Sequence, residues 1–258
     1  MKHEPTPKRR RLRGVYILPN LFTSGNLFCG FFAIVAAFSG RFIHAAIAIL
    51  VAGVFDVLDG KIARLAGANS RFGIEYDSLA DLVSFGLAPA LLVFSWALKP
   101  YGRVGWLAAF LFVACGALRL ARFNVQTVTL PSKSFTGLPI PAAAYMIALT
   151  VLLHHRLEFL NTYEHVTILV MIYFLAFLMV SNLRYVSIKE LDLFRRKPFR
   201  ALVILILCII VVVAEPEITL FSIFALYVLS GPTNLLARVW KRRTARQATQ
   251  EQPTSFQS

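Results

Sequence analysis

Apolar runs of about 20 residues, each long enough to cross the roughly 30 Å hydrocarbon layer of a bilayer, recur along nearly the whole chain. The 258 residues are 57% hydrophobic, with a mean hydropathy of +0.66 that a soluble domain of this size does not usually carry. The expected fold is all-α: a polytopic transmembrane helix bundle of about eight spans. These are placed near 17–38, 42–59, 77–97, 104–121, 138–157, 164–183, 201–215 and 218–236. A basic tail (1–14) precedes a transmembrane domain (15–238), and a polar tail (239–258), read as disordered after Trp240, follows it.

The ionic residues test this arrangement independently, because cytoplasmic loops are enriched in Lys and Arg. With both termini cytoplasmic, only Arg41, Lys99, Arg103 and Arg156 of the 27 basic residues fall on the outer side. A net charge of +14 invites a nucleic-acid reading. The charges instead sit in short juxtamembrane segments, where each attracts anionic lipid headgroups by roughly 1 kcal/mol. Nucleic acid is therefore not an expected partner. Arg195, Arg196 and Lys197 read as surface anchoring. Cys29, Cys115 and Cys208 fall inside spans without paired spacing, as small packing residues do. Trp96, Tyr101 and Trp106 flank an outer loop as an aromatic belt would.

Chemistry concentrates in residues 55–86. Asp56 and Asp59 lie three residues apart at the inner end of the second span, and Asp77 and Asp81 four apart at the inner start of the third. On a helix both spacings put the pair on one face. A helix cap accounts for Asp77 at most, since an acid near an N-terminus is favourable. Asp56, by contrast, sits within an apolar run, and a carboxylate near a span's centre costs roughly 2.5–3.5 kcal/mol, less toward the interface. Four converging negative charges call for a cation, and hard divalent ions with oxygen ligands supply it. Gly60 falls beside the Asp56/Asp59 face, where a missing side chain admits a ligand or merely ends a helix. Ala63 is small on the same face, and Arg64 at its edge can hold a phosphate oxygen. Asn20, Thr23 and either Ser24 or Asn26 place polar groups on the first span, for interhelical bonding or for a nucleotide.

The segment reads D-x2-D-G-x2-A-R-x8-G-x3-D-x3-D, occupied by Asp56, Asp59, Gly60, Ala63, Arg64, Gly73, Asp77 and Asp81. It resembles the signature of the CDP-alcohol phosphatidyltransferase family at every fixed position. The resemblance implies two divalent ions, Mg2+ or Mn2+, on the four aspartates, with Asp81 also a general base. Whether Asp81 is base, ligand or both stays open. It further implies CDP contacts at Gly60, Ala63, Arg64 and Gly73, which Asn20 and Thr23 would join, and a homodimer in a bacterial plasma membrane with its site facing the cytoplasm.

Three further segments, RLARFN (Arg119–Asn124), SFGLAPA (Ser84–Ala90) and FTGLPIPAAA (Phe135–Ala144), are similar to the serine-using branch of that family. This implies CDP-diacylglycerol and L-serine as substrates and CMP as second product. Arg119 and Arg122, on one helical face, suit the carboxylate of an amino-acid acceptor. Glycerol 3-phosphate or an inositol phosphate is the alternative acceptor. A cation-coupled transporter is the reading from another class, disfavoured because the acids lie at one face only. His154 and His155 fall at the opposite membrane end, with no catalytic part assigned.

Overall fold

A computed structural model describes residues 17–65, 70–129, 135–157, 164–185, 203, 206–207 and 210–250. The described chain is nearly all helical, and five of its helical stretches are long and apolar enough to cross a membrane. The N-terminal tail, the 195–197 basic cluster and Cys208 lie outside the described residues, as do 201–202, 204–205 and 209 of the expected 201–215 span, whose residues 203, 206–207 and 210–214 are helical.

Helices α1 (Ile17–Phe38) and α2 (Phe42–Leu65) form a tight antiparallel hairpin. Their shared face is built of small residues: Ala33, Ala36 and Ala37 on one side, Ala45, Ala46 and Ala52 on the other, all buried. In lipid, close backbone approach of this kind replaces the hydrophobic driving force available in water. The turn between them is set by Gly40 at φ 73, with Arg41 N–H reaching Ala36 O at 2.9 Å and Gly40 N–H reaching Ala37 O at 3.1 Å. That is a Schellman cap, whose left-handed position favours glycine.

Helix α3 (Arg71–Asp81) starts at an N-cap, Ser70, whose hydroxyl accepts from Gly73 N–H at 2.9 Å. Its start lies six residues before Asp77, so Asp77 and Asp81 are not at a helix beginning. Immediately after Asp81 the helix widens into a π-turn over Leu82–Leu87, with Ala88 N–H bonded to Val83 O five residues back. The widening accommodates Pro89, which cannot donate within a regular helix. Helix α4 (Ala88–Val93) and a second π-turn (Phe94–Leu98) lead to a short 3-10 turn, Lys99–Tyr101. Gly102, at φ 52, then reverses the chain into α5 (Gly102–Thr129). The stretch Arg71–Val125 therefore carries both the 77–97 and 104–121 spans of the sequence reading, packed back on each other.

Helices α6 (Ile140–Leu157) and α7 (Glu164–Val180) follow. The two-residue strands β1 (Phe135–Thr136) and β2 (Arg184–Tyr185) pair antiparallel and close the entry to α6 against the exit of α7. The last helix, α8 (Pro216–Gln250), runs well past the expected end of its span. Residues 241–250 are thus helical, where the polar composition suggested disorder. Tyr185 donates to Val228 O of α8 at 3.3 Å, and burial, then neighbouring Tyr227, pushes its phenol up to about 12, keeping it a neutral donor.

Candidate active site

The last turns of α2 and the middle of α3 converge beside the beginning of α1. Asp56 and Asp59 come from the last turns of α2, and Asp77 from the middle of α3. One carboxylate oxygen from each lies within 4.8 Å of the others. Asp59 is only 4% exposed, and Asp77 Oδ1 is buried with no hydrogen-bond partner. Among the described residues none of the aspartates forms a salt bridge. Full charges at this spacing repel by roughly 3 kcal/mol per pair at an effective dielectric near 20. An all-oxygen donor set, a buried orphan oxygen and no ion-pair partner among the described residues together fit a divalent cation.

Asp81, one turn beyond Asp77, stands outside that tight group but within electrostatic reach of Asp56, Asp77 and Asp59. It is held from α1: Asn26 Nδ2 donates to Asp81 Oδ1 at 3.1 Å. Asn26 is fully buried and its own carbonyl accepts from Ser84 Oγ at 2.9 Å, so the first π-turn is tied to the same point. Thr23, one turn earlier, donates to Asp59 Oδ2 at 3.0 Å. The first span thus orients one carboxylate from each aspartate pair. Of the two options left open by sequence, Asn26 is the buried contact; Ser24 instead pairs with Tyr76 at 2.9 Å on an exposed edge.

A cavity of about 390 Å³ opens beside Asp59 and Asp77. All six residues expected at the nucleotide line it: Asn20, Thr23, Gly60, Ala63, Arg64 and Gly73. Gly60 lies inside α2, not at its end, and a Cβ there would meet nothing within 4 Å. Arg64 anchors itself by donating Nε to Gly60 O at 2.8 Å. Ile74 and Phe123 add apolar walls that the sequence reading did not single out. Ser70 also lines the cavity, and its capping role explains part of what Gly73 does: a Cβ at Gly73 would press on Ser70 Oγ at 3.1 Å.

The structure separates the two arginines of α5. Arg122 Nη1 donates to Val180 O and Asn182 Oδ1, each at 3.2 Å, fastening α5 to the end of α7. Arg119 lies within electrostatic reach of Asp81, and its buried Nε has no hydrogen-bond partner. Behind the carboxylates, Tyr145 of α6 passes through a gap left by Gly53, where any Cβ would strike its hydroxyl. It also packs edge-on against Phe85 and Phe224, linking α8 to the site. No motif signalled Tyr145, because its neighbours come from helices remote in sequence.

A profile of the CDP-alcohol phosphatidyltransferase family matches residues 16–180, well over half of the chain. The chain belongs to this family. All four aspartates and every residue lining the cavity beside them fall within the matched region. A "CDP-diacylglycerol--serine O-phosphatidyltransferase" of Helicobacter pylori is 38% identical over 217 residues, covering 84% of this chain and 90% of its own. A protein of the same name from Bacillus subtilis is 37% identical over 174 residues, 67% of this chain and 92% of its own. An "Archaetidylserine synthase" of Methanothermobacter thermautotrophicus is 41% identical over 141 residues, 54% and 59% respectively. Membership of a phosphatidyltransferase family sets the transporter reading aside.

Proposed function

We infer that this integral membrane protein transfers the phosphatidyl group of CDP-diacylglycerol to L-serine, forming phosphatidylserine and CMP. The observation that carries the reading is the single cavity in which Asn20, Thr23, Gly60, Ala63, Arg64 and Gly73 surround Asp59 and Asp77. The names of the relatives support serine as the acceptor.

In this reading the CDP group lies over the bare backbone of Gly60, with Ala63 and Gly73 leaving it room and Arg64 facing phosphate oxygen. Asp56, Asp59, Asp77 and Asp81 hold two divalent ions, Mg2+ or Mn2+. When bound, these neutralise the diphosphate and stabilise charge on departing CMP. Thr23 fixes the rotamer of Asp59, and Asn26 that of Asp81, so neither carboxylate must reorganise during reaction. Asp81 takes the proton from the serine hydroxyl. The hydroxyl oxygen bonds to the phosphatidyl phosphorus as the bond from that phosphorus to the CMP oxygen breaks. Arg119, with its unpartnered Nε near Asp81, receives the serine carboxylate. Arg122 braces α5 against α7.

The same reading takes 15–238 as the catalytic domain of a homodimer in a bacterial plasma membrane, both termini and the site facing the cytoplasm. Anionic lipid headgroups meet the inner basic loops. Purified protein given CDP-diacylglycerol with L-serine, glycerol 3-phosphate or inositol, in turn, tests it by CMP release. Serine should be the productive acceptor. Release with glycerol 3-phosphate or inositol in its place would transfer the same chemistry to another alcohol.

A further inference from the structure

A second cavity, of about 320 Å³, lies where the α1–α2 turn meets the end of α6 and the second π-turn. Arg41, His44, His154 and His155 line it, and none of its lining residues is acidic. Arg41 is exposed and makes no ion pair among the described residues. At the end of the same α6, Arg156 is matched by Glu215 at 2.7 Å and Glu217 at 3.2 Å. The fold thus neutralises one of these cations and leaves the other at a cavity rich in N–H donors.

The position is informative. His44 and Asp59 are fifteen residues apart on one helix, about 22 Å along its axis, so this cavity faces the leaflet opposite the aspartates. Its wall includes Phe42 and Trp96, the indole packed edge-on against His154 with ring centroids 5.1 Å apart. Indole rings of this kind sit at headgroup level in bilayers. Exposed Phe38 and Ile47 flank the turn.

We propose that this cavity binds the phosphate of an anionic phospholipid in the leaflet opposite the active site. Guanidinium and imidazole N–H groups donate to the phosphate oxygens, and the apolar wall takes the start of an acyl chain. Phosphate is the shared chemistry of a lipid and a free ion. The apolar wall and the bilayer-level setting assign it to lipid. The inference is independent of which alcohol the active site uses.

Trp96 provides the readout. Full-length protein with Trp106→Phe and Trp240→Phe, in phosphatidylcholine nanodiscs, is titrated with brominated phosphatidylglycerol or with brominated phosphatidylcholine. Phosphatidylglycerol should quench Trp96 at about tenfold lower mole fraction, and Arg41→Gln with His155→Gln should erase that preference. CMP release by the double variant should stay at the parent level, showing that the fold is intact. Equal quenching by both lipids, or a preference surviving the double variant, would overturn the proposal. Reversal of the quenching by soluble glycerol phosphate would overturn the assignment to lipid.

Discussion

Asn26 of the first span donates to Asp81 of α3 at 3.1 Å, across 55 residues of sequence. This bond joins a residue outside the eight-residue signature to its last aspartate. Asn26 is fully buried, so the bond is shielded from water and its loss leaves the Asp81 carboxylate free to rotate.

Asn26→Ala should therefore lower kcat for CMP release by roughly tenfold, the scale of a lost buried hydrogen bond to a charged group. The KM for CDP-diacylglycerol should move little, because Asn26 does not line the cavity beside Asp59 and Asp77. Steady-state kinetics separate the two. A rise in KM with kcat intact would place Asn26 in ground-state binding instead.

The two arginines of α5 should behave oppositely. Arg119→Ala is expected to raise the KM for serine by tenfold or more while leaving thermal stability near the parent value. Arg122→Ala removes the bonds to Val180 O and Asn182 Oδ1 and should cost about 1–3 kcal/mol of stability, with serine affinity unchanged in the folded fraction. Serine titrations paired with thermal melts in detergent check both.

Two glycines give a similar contrast. At Gly60 a side chain would enter open space, so Gly60→Leu should fold at least as well as the parent, since leucine favours helix by up to about 1 kcal/mol. It should nonetheless lose CDP-diacylglycerol turnover, by filling the cavity. At Gly30 a Cβ would press on Ser84 Cα at 2.7 Å, so Gly30→Ala should destabilise by about 1–3 kcal/mol through overpacking. Melting curves and CMP release measured on both variants distinguish a ligand-facing glycine from a packing one.

These contrasts mark what sequence could and could not convey. The end of the first span at Phe38 is legible to the residue, because hydropathy falls there. The carboxylates are legible because helical spacing alone puts each pair on one face. The start of α3 is not, since from the Ser70 cap to Glu75 the apolar Phe72 and Ile74 are offset by Arg71 and Glu75, leaving no hydropathy signal. The extension of α8 through its charged residues escapes for the same reason. The different bonding of Arg119 and Arg122 depends on where α7 ends, a long-range fact that i,i+3 spacing cannot encode. Tyr145 and the far cavity are likewise assembled from helices distant in the chain.

The central claim is that Asp56, Asp59 and Asp77 together trap a divalent cation, and Mn2+ binding followed by electron paramagnetic resonance tests it without reference to turnover. The full-length protein in detergent should remove free Mn2+ from solution, and Asp59→Asn or Asp77→Asn should weaken that uptake by about tenfold or more while leaving the melting curve intact. Undiminished Mn2+ uptake by both variants would contradict the account.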